Sequence, residues 1–408
     1  MYPNLTVYDS RAPLELFAKN GFYQVGTRAF NYKVTALQEA TRTNSVVKWM
    51  FNDHIFSTFD WTTSNHLPLS EMYRLRAQQL RDKYNYLMLG WSGGADSTTI
   101  LDTFLDNNIR LDEVVITWAL TASQGRYTPS LSLNDTNMAS EWDFAIKPKL
   151  DAIRAQYPNL KITIRDMKFD ANHKEYAEDS VLLTDKHSYF GLTRIRDLDQ
   201  LLEQRSNQYH SIAYVTGVSP PDLFFIDNRV YTSFPDTHTT PTAKSDLLAG
   251  WIRNIEFFYW TPDMPELVRE QCHTLLRVLN TDRSFRRHFK RKDQQKRTLH
   301  WPDYDLLRYV RKPYLYPNYP QNTFQVGKPK LLVNYNSWYS WFYDNPHSAE
   351  FTAPLDSAIN TNLALIHPRF LVHADDLGYP ELAKRSAVVD YKPIDSRAYY
   401  IGDLVPLD

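Results

Sequence analysis

Between residues 83 and 235 the chain alternates short apolar runs with longer segments of helical period. Tyr86–Leu89, Glu113–Trp118, Lys161–Arg165 and Ile212–Thr216 are rich in branched and aromatic residues, the pattern of strands buried on both faces. Ser97–Leu105, Asn134–Gln156 and a stretch around Leu198–Arg205 lie between them and read as helices. Strand and helix in this order predict an α/β fold, a mostly parallel, doubly wound sheet covered by helices. Ligands of such sheets bind beyond the C-terminal ends of the strands. Those ends are Trp91–Ser97, Thr117–Ala119, Asp166 and Gly217.

The flanking regions read differently. Residues 1–82 form an N-terminal module, with strands expected in Tyr23–Leu37. Ser70–Arg81 is predicted as a helix capped by Ser70, with Met72, Leu75 and Leu80 on one face. From 236 to 330 the pattern turns helical. Trp251–Trp260 reads as an aromatic, buried helix, and Pro265 opens another that runs to about Leu279. Residues 331–408, rich in Pro, Tyr and Asn, read as an extension of loops with short regular elements.

Composition narrows the function classes. The chain has 408 residues, 46 Lys+Arg against 47 Asp+Glu, so no global field favours a polyanion. Its 27 Tyr, 21 Phe and 10 Trp are expected mainly in the core, since no repeat organises them. The single cysteine, Cys272, excludes an internal disulfide and fits a reducing compartment. It is expected to be a small packing residue. No basic segment followed by an apolar stretch opens the chain, and no apolar run is long enough to span a bilayer. A cytoplasmic protein without membrane partners is expected, and a homo-oligomer stays open. The histidines show no metal-site spacing.

The chemistry concentrates in Ser92-Gly93-Gly94-Ala95-Asp96-Ser97, between the first strand and its helix. A helix N-terminus offers unpaired N–H groups and partial positive charge to an anion, and glycines let the backbone approach it. A Walker loop would need a lysine before its Ser/Thr, and a dinucleotide loop would need G-x-G-x-x-G. Neither is present. The segment resembles SGGxDS, the signature of the PP-loop ATP pyrophosphatase superfamily, whose members share an α/β fold of the HUP type. Among them it is similar to the synthetase domains of asparagine-synthetase-like enzymes. Tyr2 stands where their glutaminase would carry a nucleophilic cysteine. The single cysteine also argues against thiolation enzymes, zinc-bearing deazaguanine synthases and sulfonucleotide reductases.

The resemblance implies ATP and Mg²⁺ as cofactors, with cleavage between the α and β phosphates. Ser92, Gly93, Gly94, Ala95, Asp96 and Ser97 would hold the β and γ phosphates. Asp96 would be a metal ligand and catalytic. Adenine would lie against backbone at Gly90, Trp91, Thr117 and Trp118. The relatives' G-E-G-A-D-E-L-F at the fourth strand corresponds to Gly217-Val218-Ser219-Pro220-Pro221-Asp222-Leu223-Phe224. Gly217, Leu223 and Phe224 match, the metal-binding aspartate falls on Pro221, and Asp222 is the substitute carboxylate for metal and catalysis. The alternative for Asp222 is a cap on a Pro-Pro turn.

The basic run Arg283–Arg297 has three readings. It is a solvated helix face, a source of the cation that such relatives bring from C-terminal sequence (here Lys290), or a nucleic-acid surface with Phe285 and Phe289 interleaved. The expected function is an ATP-dependent ligase that adenylates a carbonyl or carboxylate oxygen, releases pyrophosphate and lets an amine or ammonia displace AMP. A base-modifying enzyme acting on nucleic acid and a non-catalytic nucleotide-binding or assembly protein are the alternatives. The substrate is thus a small molecule or a nucleic acid.

Overall fold

The apolar runs of the central region become strands where the sequence sets them. The computed structural model describes residues 5–7, 14, 18–30, 36, 39–40, 42–118, 142–166, 200–217, 220–234, 236, 255–287, 311–318 and 396–406. The chain opens with β1 (Thr6–Val7), β2 (Phe22–Val25), β3 (Arg28–Phe30) and β4 (Lys48–Met50), which form a sheet in the order β1-β3-β2-β4. Helix α1 (Leu69–Lys83) leads into β5 (Tyr86–Gly90), α2 (Ala95–Asp106) and β6 (Glu113–Trp118). A π-turn (Trp142–Ile146) then feeds α3 (Lys147–Gln156), followed by β7 (Lys161–Asp166) and β8 (Ile212–Thr216). Further along come β9 (Asp222–Ile226), β10 (Arg229–Ser233), β11 (Ile255–Phe257), α4 (Pro265–Thr281) and β12 (Tyr399–Asp403).

The central sheet has five strands in the order β11-β8-β5-β6-β7, and every pair in it is parallel. Numbered along the core, that order is 5-4-1-2-3. The chain first winds outward from β5 to β7, then returns to the other side of β5 through β8. The reversal leaves a crevice beyond the C-terminal ends of β5 and β8, where open α/β sheets place their ligands.

Two local expectations need correction. Helix α1 begins at Leu69 after Pro68, and no side chain caps it. Pro68, with φ −59° and ψ 143°, sets the entry, so Ser70 lies inside the helix. Its buried face includes Tyr73 and Arg76 as well as Met72 and Leu80, while Leu75 is only partly buried. The segment expected as a helix over Trp251–Trp260 instead supplies β11, the outer strand beside β8, with Glu256 paired to Val215. Its aromatic and polar positions follow no clean period to separate helix from strand, and the open edge of β8 decides it. The sheet pairing carries on past β11, where the Phe258 amide donates to the Thr216 carbonyl at 3.1 Å.

One hydrophobic core joins these parts, running from Tyr23 to Leu404 in sequence. Its aromatic centre brings Phe51 and Phe56 of the N-terminal region against Phe234, with ring centroids 4.9 and 4.8 Å apart. Trp260 stands edge-on to Phe234 at 5.0 Å, and Trp61 stacks on Tyr399 of β12 at 5.0 Å. The abundant aromatics therefore fasten β12 and the N-terminal region to the central sheet. Among the described residues, no helix is long and apolar enough to cross a membrane.

Candidate functional site

Strand β5 is buried from Tyr86 to Leu89 and ends at Gly90. Gly90 is required by packing, because a Cβ there would sit 2.1 Å from the Tyr214 hydroxyl of β8. Trp91 then turns inward. Its side chain is 1% exposed, its ring N–H donates to Thr98 Oγ1 at 3.0 Å, and its amide donates to the Val115 carbonyl at 2.9 Å. That amide and that ring are thus committed to the fold rather than to a base. On the neighbouring strand, Thr117 is half-buried at the end of β6, and Trp118 closes the strand opposite Asp166.

Two serines shape the loop that follows. The Ser92 amide donates to Ser97 Oγ at 3.1 Å, and the two hydroxyls lie 3.2 Å apart. Ser92 Oγ accepts from the Gly94 amide at 3.3 Å, and Ser97 Oγ donates to the Gly94 carbonyl at 3.2 Å. Gly93 has φ +73°, and a Cβ on it would meet Ile146 Cγ1 at 2.6 Å. This position needs glycine both for its backbone and for the close approach of the π-turn. Gly94 ends the loop in extended conformation and α2 begins at Ala95. The first N–H groups of a helix have no acceptor within it, and this end of α2 lies beside the C-terminal ends of β5 and β8. Gly217, at the end of β8, packs directly against this turn, since a Cβ on it would lie 3.1 Å from the Ser97 nitrogen.

Asp96 is the acid in the first turn of α2. Its backbone carbonyl accepts from the Tyr259 hydroxyl at 2.7 Å. Its Oδ1 accepts from the Tyr316 hydroxyl and forms an ion pair with Lys312 Nζ at 3.5 Å. Lys312 is only 5% exposed. Burial, followed by the charge of Asp96, pushes the phenols of Tyr73 and Tyr316 well above the ordinary tyrosine range, so both are protonated donors. The helical turn carrying Lys312 is fixed at several points. Tyr73 donates to the Leu315 carbonyl at 2.8 Å, and Asn318 donates to Asp106 at 3.1 Å. Arg311, also buried, reaches the Pro221 carbonyl at 3.4 Å. Residues 311–318 therefore touch both motif segments, the loop at Asp96 and the backbone just before Asp222.

The structure brings Gly90 through Ser97 and Gly217 together at one sheet crevice. Asp222 is the first residue of β9, which forms an antiparallel hairpin with β10 and pairs Asp222 with Ser233. The segment after Pro221 is thus the start of a strand. Lys290 lies outside the described residues. What sequence reasoning missed is Arg311, Lys312 and Tyr316. Their signal was a cation pair followed by Pro and aromatics, Arg311-Lys312-Pro313-Tyr314-Leu315-Tyr316-Pro317, which is sparser in charge than the run at 283–297.

Two residues of that run are engaged in the fold. Phe285 is 3% exposed and packs edge-on to Tyr314 at 5.3 Å. Arg286 binds main-chain carbonyls at the end of α4. Neither is presented for stacking on a base. Cys272 is buried, and burial pushes its thiol up to about 12, consistent with a packing role. His273 Nε2 donates to the Trp61 carbonyl at 2.9 Å within the core. Among the described residues no group of three or more His, Cys, Asp or Glu forms a metal cluster. A lone aspartate still fits a magnesium ion that takes its other ligands from phosphate and water. In comparisons with known proteins, no family model matches the chain and no curated protein matches it.

Proposed function

We propose that this chain is an ATP-dependent ligase that forms AMP and pyrophosphate. The observation that carries the reading is the meeting of Asp96 and Lys312, 3.5 Å apart, at the first turn of α2 in the sheet crevice. An anionic metal ligand, a buried cation and a row of helix N–H donors there suit a polyphosphate. Mg²⁺, when bound, would supply charge neutralisation for the triphosphate, with Asp96 holding it and Asp222 a second carboxylate for it.

In this reading Ser92, Ser97 and the loop amides grip the β and γ phosphates, the Gly94 amide exchanging Ser92 Oγ for phosphate. An acceptor oxygen attacks the α-phosphorus, the bond to the β-phosphate oxygen breaks, and pyrophosphate leaves with the bonding electrons. Lys312 stabilises the charge that develops on the phosphate oxygens, the role that sequence reasoning gave to Lys290. An amine or ammonia then attacks the activated carbon and AMP departs. Positioning and charge carry the first step, so it needs no cysteine nucleophile. The nucleic-acid alternative draws no support from Phe285 or Arg286, both engaged in packing.

Chromatography of nucleotides after incubation with ATP, Mg²⁺, ammonium and pooled carboxylate metabolites tests the reading. AMP and pyrophosphate should appear, and Asp96→Ala should abolish both. ADP as the main product would overturn the class.

A further inference from the structure

Asp96 Oδ1 meets both the Lys312 ammonium and the Tyr316 hydroxyl. Both come from one short turn of C-terminal sequence, and both side chains are buried. The proposed function asks the same carboxylate to bind a divalent cation. An ammonium and a metal ion cannot share one oxygen at this range, because their repulsion is weakly screened where solvent is excluded. Nor can Lys312 remain buried without a counter-charge. The anion that arrives with the metal is the triphosphate itself.

We propose that Lys312 and Tyr316 form a counter-ion latch on Asp96, which Mg·ATP displaces and which passes Lys312 from carboxylate to phosphate. The inference rests on the nucleotide-binding reading and adds a regulation to it. The cation for the α-phosphate is held in place by the metal ligand and is released only when metal and nucleotide arrive together. ATP without metal leaves the latch closed. The turn is suited to this exchange, because two of its ties are made away from the Asp96 carboxylate. Leu315 is held through its carbonyl by Tyr73, and Asn318 through its side chain by Asp106. The ends of the turn can stay anchored while Lys312 and Tyr316 change partners.

The test is the Mg²⁺ concentration that gives half-maximal ATP binding, followed by calorimetry on the full-length protein. Tyr316→Phe keeps the buried ring and removes one competitor for Asp96. It should lower the midpoint about ten-fold, the effect of one hydrogen bond to a charged group. Lys312→Gln should also lower the midpoint, while weakening ATP binding at saturating Mg²⁺ because the phosphate partner is lost. Circular dichroism confirms that each variant is folded. A turn that merely braces the fold would leave the midpoint unchanged or raise it. If the wild type binds Mg·ATP, Asp96→Ala loses that binding, and either variant fails to lower the midpoint, the latch is wrong and the site reading stands. If the wild type binds no ATP at any Mg²⁺ concentration, the site reading fails and the latch falls with it.

Discussion

Gly217 presses on Ser97: a Cβ built on Gly217 would stand 3.1 Å from the Ser97 amide nitrogen and 3.0 Å from Ile100 Cδ1. The end of β8 and the first turn of α2 can approach this closely only because one side chain is missing. Gly217→Val should force the two apart, with a loss of stability of about 1–3 kcal/mol, as overpacking generally costs. The displaced amides should also bind ATP more weakly. Urea melts and calorimetry report the two effects. Wild-type values in both would show that the contact spaces nothing.

Much of this crevice was legible because its parts are local. The strands Glu113–Trp118 and Ile212–Thr216 were read with their observed bounds, since a short, fully buried apolar run has few other uses. The loop was legible because Ser92, Gly94 and Ser97 make their hydrogen bonds within a few residues. Tyr316 was not, because it meets Asp96 across 220 positions in sequence, and no period links them. Charge density misled in the same region. It drew attention to 283–297, whereas the cation found at the loop is Lys312, from a pair with only Arg308 nearby. β11 was misread because Arg253, Asn254 and Glu256 interrupt the aromatic run Trp251–Trp260 without a strand period, and its strand is created by β8.

Glu256 of β11 gives stability that acid should remove. Its carboxylate accepts from Arg76 Nη2 at 3.0 Å and Lys83 Nζ at 3.1 Å, and also from the Tyr84 hydroxyl. Lys19 lies 3.9 Å away. Burial alone would raise its pKa, but Lys19, Arg76, Tyr84 and Lys83 together outweigh it and hold the carboxyl at about 2, against an ordinary 4.5. A carboxyl lowered in the folded state contributes fully above its unfolded pKa and loses that contribution as pH falls through the folded one. The window therefore runs from about 4.5 down to about 2, and the stake is roughly 3 kcal/mol. Urea melts across this range should show stability falling with acid. Glu256→Gln should be less stable at pH 7 and should lose this part of the slope. An unchanged slope in the variant would assign the acid sensitivity elsewhere.

Arg286 distinguishes a basic surface from a structural clasp. Its Nε donates to the Leu279 carbonyl at 2.6 Å, its Nη2 to Asn280 Oδ1 at 2.9 Å and its Nη1 to the Val405 carbonyl at 2.7 Å. Asn280 also receives the Val405 amide at 3.0 Å and donates to the Asp403 carbonyl at 3.1 Å. One guanidinium thus binds a carbonyl in the last turn of α4 and fastens the segment after β12 to that helix. Arg286→Ala should lower stability by about 1–3 kcal/mol, measured by urea unfolding. Arg286→Lys keeps the charge but not the planar fork that reaches three acceptors, so it should restore little. The exposed neighbours Arg283 and Arg287 should each change stability by less than about 0.5 kcal/mol when replaced by alanine. If lysine restored full stability at 286, charge alone would explain the residue. If instead Arg286→Ala kept full stability and lost retention on a polyanion column, with a salt slope to match, the basic run would be a binding surface after all.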